Sequence, residues 1–204
     1  MTKDKEFWET TFKDKQMMWG DEASSTTALT VALFKNNGLK KLLIPGFGYG
    51  RNGKVFSDHG FDVTGIEISE TAIGIARKQY GNTMKIHHGN VNNMPFDDEI
   101  YDGVFCYALL HLLDEKARTN LINNSYKQLK NDGYMVFVTL STDSQTYGEG
   151  VEISKDRFAS KHGVNLFYYD EAAIKAQFSS YGLLEVKEVN EYSQIFWLIV
   201  CKSM

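Results

Sequence analysis

Leu42-Leu43-Ile44-Pro45-Gly46-Phe47-Gly48-Tyr49-Gly50-Arg51-Asn52-Gly53 carries the strongest local signal in the chain. A short apolar run enters a glycine-dense turn, and a helical pattern follows through about Asp58. A run of that length bounded by glycine reads as a buried strand. Glycines there permit positive φ and let a ligand approach the backbone. The helix beyond presents unpaired N–H groups and the positive end of its dipole to an anionic group.

Outward from this turn the chain alternates strand-like and helical segments. Asp62 to Ile66 reads as a second strand, and Ser69 as the N-cap of a helix carrying Ile73, Ala76 and Tyr80 on one face. Met84–His88 is a third strand and Gly103–Tyr107 a fourth. A helix spaced on Leu121, Ile122, Ser125 and Leu129 is expected to stop near Asn131-Asp132-Gly133, with a fifth strand over Tyr134–Leu140. Such alternation implies a parallel, doubly wound α/β sheet with right-handed crossovers. After a helix around Asp170–Tyr181 come two strand-like runs, Leu184–Val189 and Ile195–Lys202. The short link around Asn190–Ser193 leaves no room for a crossover helix, so these two must pair antiparallel. The expected architecture is a seven-stranded, mainly parallel sheet with an antiparallel C-terminal pair.

The whole chain, 1–204, reads as one domain, with 1–39 as an N-terminal helical cap or lid segment built on patterns near Glu6–Phe12 and Thr27–Phe34. Between those patterns, Met17-Met18-Trp19-Gly20 either packs against the sheet edge or covers a ligand. Apolar residues at 43% and charged residues at 24% are those of an ordinary globular protein. Two cysteines are too few for a disulfide scaffold or a cysteine zinc site. A net charge of −4 with no basic stripe argues against nucleic acid as the main partner. No apolar run is long enough to span a membrane, and the charged N-terminus lacks the apolar core of a signal peptide. The expectation is a cytoplasmic monomer or homodimer.

The glycine loop alone admits two cofactor classes. Gly48-x-Gly50-x-x-Gly53, with Glu67 placed 19 residues after Gly48, matches a dinucleotide fingerprint. Gly46-x-Gly48-x-Gly50 fits equally, with its first glycine directly after the strand. In the dinucleotide version the first glycine should follow the strand at once, yet Pro45-Gly46-Phe47 precede Gly48.

The order of motifs from Lys40 to Ser141 resembles a class I S-adenosylmethionine-dependent methyltransferase. Pro45–Asn52 is similar to the first motif of that superfamily, in the manner of its thiopurine-type and tellurite-resistance-type small-molecule branches. Phe61–Ser69 resembles the segment ending in the ribose-binding acid. Gly89-Asn90-Val91, Met94-Pro95-Phe96 and Tyr101–Val104 resemble the adenine turn and fourth strand, and Leu129–Tyr134 the turn into the fifth. Pro45 stands where many members carry another residue, a mark of the thiopurine-like branch. Asn90 replaces the usual aspartate at the adenine turn, which implies weaker cofactor binding.

The resemblance implies S-adenosyl-L-methionine as cofactor, a Rossmann-like fold and a small-molecule methyl acceptor. Glu67 would accept the ribose hydroxyls, a carboxylate having two acceptor oxygens for the two donors of a diol. Gly46, Phe47, Gly48 and Gly50 would line the methionine and ribose side, and Ile68, Asn90 and Val91 the adenine. Arg51 either meets the cofactor carboxylate or lies on the helix surface. Cys106 and Tyr107 would offer backbone near the sulfonium, and Trp19 or Tyr107 an aromatic face. His111 and Tyr107 are the candidates for a catalytic side chain, and no general base is assigned. Cys106 lacks the Pro-Cys context of the nucleophile in cytosine-C5 enzymes. His87 and His88 face opposite sides of a strand, so no metal site is expected. The acceptor pocket is expected from residues 12–24 and from the insertion at 142–169, with Tyr147, Arg157, His162, Phe167, Tyr168 and Tyr169. Competing functions are an NAD(P)-dependent oxidoreductase and a non-catalytic cofactor sensor.

Overall fold

The structure is a computed structural model and describes residues 3–204. In chain order the elements begin with α1 (Lys3–Lys15), α2 (Ser25–Asn36), β1 (Lys41–Pro45), α3 (Arg51–Asp58) and β2 (Asp62–Glu67). There follow α4 (Glu70–Tyr80), β3 (Lys85–His88), β4 (Tyr101–Tyr107), α5 (Glu115–Lys127) and β5 (Leu129–Leu140). The chain closes with β6 (Val151–Ser154), β7 (Arg157–Ala159), β8 (Asn165–Phe167), α6 (Glu171–Phe178), β9 (Leu183–Glu191) and β10 (Gln194–Lys202). Seven strands form one sheet in the order β3-β2-β1-β4-β5-β10-β9. β2 pairs in parallel with β1 and β3, β1 with β4, and β10 runs antiparallel to both β5 and β9. This is the expected doubly wound sheet with its terminal antiparallel pair.

The chain divides into two compact units, Met1–Phe105 and Cys106–Met204. In the first, Leu42, Leu43 and Ile44 of β1 and Val63 and Ile66 of β2 are almost wholly buried. Parallel strands covered on both faces must be apolar throughout, which is why these runs show no alternation. Phe34, Phe56, Phe61 and Phe105 pack into one aromatic cluster with centroids 5.2–6.5 Å apart. Each buried ring contributes about 1.5–3 kcal/mol. Three helices start where a short polar side chain caps them. Ser69 accepts from the Ala72 N–H, Asp114 from Ala117 and Asp170 from Ala173, at 3.1, 2.8 and 2.6 Å.

Two boundaries differ from the sequence expectation. α5 ends at Lys127, and β5 begins at Leu129, so Asn131-Asp132-Gly133 lies within the strand rather than ahead of it. Asp132 has φ +60°, a local kink that the C-terminus secures: Gly133 N–H donates to Ser203 Oγ and Ser203 N–H returns a bond to Gly133 O. The link between β9 and β10 shrinks to Tyr192-Ser193, both at positive φ, the geometry that matches the twist of a tight hairpin. The 142–169 insertion is not a bare loop, because β6, β7 and β8 form a small antiparallel sheet of their own.

Candidate cofactor site

The first unit brings the glycine loop and Glu67 together. Gly46 and Phe47 N–H both donate to Ile66 O at 3.0 Å, tying the loop to the end of β2. Glu67, the next residue, is 6% exposed; its Oε2 accepts from Gly48 N–H at 2.7 Å and its Oε1 from Ser69 N–H at 2.8 Å. Burial pushes its pKa up, and these backbone donors only partly offset the shift. Ile68 N–H adds a third backbone donor, and the two carboxylate oxygens together form the paired acceptor that the two donors of a vicinal diol require.

Phe47 has a role that its motif position conceals. Its side chain is buried at 6% exposure, and its ring fills the space that Cβ atoms would take at three glycines. A methyl group on Gly53 or Gly65 would lie 2.4 Å from the ring, and one on Gly50 2.8 Å. Phe47 therefore offers a ligand its backbone alone, and Gly53 is required for packing rather than for phosphate approach.

The turn after β3 is a 3-10 turn at Val91–Asn93, capped by the Asn90 side chain, whose Oδ1 accepts from Asn92 N–H at 2.9 Å. Val91 is 7% exposed. Ile68, Gly89, Asn90 and Asn93, with Lys5 and His88, line a concave pocket of about 230 Å³. His87 and His88 each have a carboxylate partner. His87 Nε2 lies 2.8 Å from Asp97 and His88 Nδ1 3.5 Å from Glu70. Burial alone would raise Asp97, yet hydrogen bonds from Lys85, His87 and Tyr101 hold it well below the usual carboxylate range.

The segment before α2 is strapped onto the glycine loop. Trp19, 45% exposed, stacks on Tyr49 at 6.1 Å and 18°. Trp19 N–H donates to the Tyr49 hydroxyl, which donates to Gly20 O at 2.8 Å. Arg51 is buried, and its guanidinium donates to Trp19 O and Glu22 O at 3.3 and 2.6 Å. It is thus not a surface residue of α3. Asn52 Oδ1 accepts from Ser24 N–H and Thr27 Oγ1. Tyr49 and Asn52 sit inside the quoted motif, yet sequence reasoning assigned them nothing.

Glu9 of α1 was missed altogether. Its carboxylate accepts from Ser69 Oγ at 2.7 Å, Thr71 Oγ1 at 2.6 Å and Thr71 N–H at 3.2 Å, with Lys13 at 3.4 Å. Burial works against the charge, but these donors outweigh it and draw the pKa from 4.5 to about 2. A partner 60 residues away leaves no local signature in the sequence.

In the second unit, Cys106 is fully buried and burial pushes its thiol far up, which removes it as a nucleophile. Tyr107 donates its hydroxyl to Glu191, and its ring lies parallel to Phe196 at 6.1 Å. Ala108 follows at φ +52°. His111 is 6% exposed, and burial pulls its pKa down to about 3, so the ring is neutral and a weak base. The insertion's rings serve mainly each other: Tyr147 meets Phe158 and Tyr168 edge-on, and Tyr168 and Tyr169 are each 1% exposed. Arg118, buried at 6% exposure, lies 3.8 Å over the Phe167 ring and donates to Leu113 O. Among the described residues no group of three metal-ligating side chains occurs, and no helix is long and apolar enough to cross a membrane.

Comparison with known proteins agrees with this geometry. Residues 43–137 match the methyltransferase domain family. Thiocyanate methyltransferase 1 of Brassica oleracea is 26% identical over 135 residues, 63% of this chain and 59% of that enzyme. The chain thus spans less than two thirds of the length of that relative. Among solved structures, the 1,6-didemethyltoxoflavin-N1-methyltransferase of Burkholderia thailandensis, with S-adenosylhomocysteine bound, superposes with a TM-score of 0.77 at 16% identity, covering 98% of this chain and 86% of that one. The magnesium protoporphyrin IX methyltransferase of Synechocystis PCC 6803, with S-adenosylmethionine bound, gives 0.72 at 15% identity over 100% and 99%. Residues 43–137 thus resemble a methyltransferase domain, and the fold of the chain is that of these methyltransferase structures.

The residues present fit that cofactor. Glu67 supplies two carboxylate oxygens of the kind a diol needs, Ile68 and Asn90 line a pocket, and Gly48 has open space where a side chain would stand.

Proposed function

We propose that this protein transfers a methyl group from S-adenosylmethionine to a small-molecule acceptor by in-line displacement, with 1–204 acting as one catalytic domain capped by residues 1–39. The observation that carries the reading is Glu67, a buried carboxylate held at the end of β2 by the Gly48, Ile68 and Ser69 N–H groups beside the glycine loop. Glu67 binds the ribose, the loop backbone at Gly46, Phe47, Gly48 and Gly50 faces the methionine side, and Ile68, Asn90 and Val91 receive the adenine. Arg51 holds the Trp19–Glu22 strap in place rather than reaching the cofactor carboxylate. The Cys106 and Tyr107 backbone serves the sulfonium end, with the Tyr107 hydroxyl fixed by Glu191.

The bound cofactor supplies an already activated methyl group. What this chain must add is alignment and exclusion of water, which together can lower a barrier by about 7–11 kcal/mol. A strong protein base is not required for an acceptor that is ionised in solution, which accords with a His111 too weakly basic to serve as one. The acidic chain, net −4, favours a small molecule over nucleic acid. The relatives point the same way, being named for thiocyanate, a toxoflavin precursor and a porphyrin. We place the protein in the cytoplasm as a monomer or homodimer.

The test is calorimetric titration with S-adenosylhomocysteine and with NADH, followed by a screen of thiol, amine, hydroxyl, carboxylate and inorganic anion acceptors for S-adenosylhomocysteine release. Selective binding of the homocysteine product and turnover of one acceptor class are expected. Preferential NADH binding would overturn the cofactor assignment, and cofactor binding without turnover of any acceptor would make the protein a sensor.

A further inference from the structure

We propose that Glu9 is a positioning residue of the cofactor site, setting the ribose-binding Glu67 through Ser69. The inference rests on the proposed use of Glu67 as the ribose acceptor. Ser69 is wholly buried and joins two carboxylates that approach the start of α4 from different elements. Its hydroxyl donates to Glu9 Oε2 at 2.7 Å, and its N–H donates to Glu67 Oε1 at 2.8 Å. With its hydrogen committed to Glu9, the hydroxyl presents a lone pair to the Ala72 N–H at 3.1 Å and so closes the helix cap. Glu9 also receives the N–H and hydroxyl of Thr71, satisfying a first-turn donor that the helix itself cannot. An anion at this end of a helix is further stabilised by the dipole.

Docking of α1 does not depend on this carboxylate. Phe12 is 2% exposed and packs with Tyr49 and Ala72, with Trp8, Met17, Met18 and Ile75 around them. The apolar cluster holds the helix against the loop and α4; Glu9 adds direction. It fixes the Ser69 rotamer, and with it the line along which the Ser69 N–H meets Glu67. On the other side Gly48 N–H fixes the second oxygen. Glu67 is therefore oriented by Gly48 of the glycine loop, by its neighbour Ile68 and by a cap whose geometry Glu9 sets. Loss of Glu9 would leave Glu67 free to tilt and misplace both ribose acceptors.

The experiment is a double-mutant cycle on the full chain, read as the dissociation constant of S-adenosylhomocysteine by calorimetry. Wild type, Glu9→Ala, Glu67→Gln and the double variant are compared, with Glu9→Gln as a milder replacement and circular dichroism to check folding. Glu9→Ala is expected to weaken binding about fivefold to tenfold, the worth of roughly one hydrogen bond. Glu9→Gln, which retains one acceptor oxygen, should recover part of that loss. In the Glu67→Gln background, removing Glu9 should change affinity less than about twofold. An equal loss in both backgrounds would show that Glu9 merely holds the cap, and no loss in either would overturn the proposal. If Glu9→Ala does not fold, the same cycle run with Glu9→Gln decides. Failure of the wild type itself to bind would instead overturn the cofactor assignment, and this inference with it.

Discussion

Gly65→Ala is the substitution on which the structural argument for the glycine loop stands most exposed. Gly65 lies in β2 between Ile44 of β1 and Ile86 of β3, paired on both sides. A Cβ there would meet Phe47 Cδ2 at 2.4 Å, Cγ at 2.5 Å and Cβ at 2.9 Å. Carbon atoms rest about 3.5–4.0 Å apart, so the overlap exceeds about 1 Å. Two of the three atoms belong to the root of the side chain, so no rotation of the ring relieves the clash. The central strand cannot retreat, and Phe47 must move together with its backbone and the adjoining Gly48 N–H. Overpacking costs about 1–3 kcal/mol, and partial exposure of the ring adds up to about 1.5–3 kcal/mol. The total is about 2–5 kcal/mol. With a urea slope of about 2 kcal/mol per molar, the unfolding midpoint should fall by about 1–2.5 M. Binding of S-adenosylhomocysteine should weaken in step, because Gly48 orients Glu67. Phe47→Ala alone should cost about 3–5 kcal/mol, but adding Gly65→Ala to it should cost less than Gly65→Ala does in the wild type, because the contacts with Cγ and Cδ2 are gone and only the 2.9 Å contact with Cβ remains. A wild-type midpoint for Gly65→Ala, or simple additivity in the double variant, would refute the account.

Two further outcomes are expected. Because Glu9 titrates near 2 in the folded protein against 4.5 unfolded, its stabilising effect is complete above pH 4.5 and fades as the pH falls toward 2. The urea midpoint advantage of wild type over Glu9→Gln should shrink across that window; a constant difference would place the charge elsewhere. Asn90→Asp keeps the cap on Asn92 N–H and gives the adenine amino group a charged acceptor, so S-adenosylhomocysteine should bind about fivefold tighter by calorimetry. Unchanged or weaker binding would remove the adenine from this turn.

Most of the scaffold was legible because its signals are local. The runs at Leu42–Ile44 and Val63–Ile66 are apolar because both faces of those strands are covered, and Ser69 precedes its helix in the position a cap requires. The misplaced boundaries fall where tertiary contacts override local preference. Asn131-Asp132-Gly133 looks like a helix stop followed by a turn, yet Ser203, some 70 residues on, holds Gly133 in the strand. The insertion's aromatics read as pocket-lining because composition does not distinguish rings facing a ligand from rings facing one another; Tyr147, Phe158 and Tyr168 do the latter.

The site divides along the same line, and the division explains why motif residues and functional residues are not the same set. Glu67 could be found from spacing because the strand–loop–helix unit fixes its distance from Gly48 within one stretch of chain. Phe47 stands in the motif, but its ring is what the glycines accommodate, so its place there follows from packing. Glu9 stands outside every motif, yet it meets the same helix end as Glu67, with Ser69 shared between them. A residue that acts on a ligand through another side chain needs only to reach that side chain, and any element packed nearby can supply it. Its position in the sequence is therefore set by how the N-terminal helix docks, through Trp8 and Phe12 on Tyr49 and Ala72, and not by the chemistry it supports. Spacing rules recover what one segment of chain can build alone, whereas the orientation of Glu67 is completed by two segments that meet only in the folded unit.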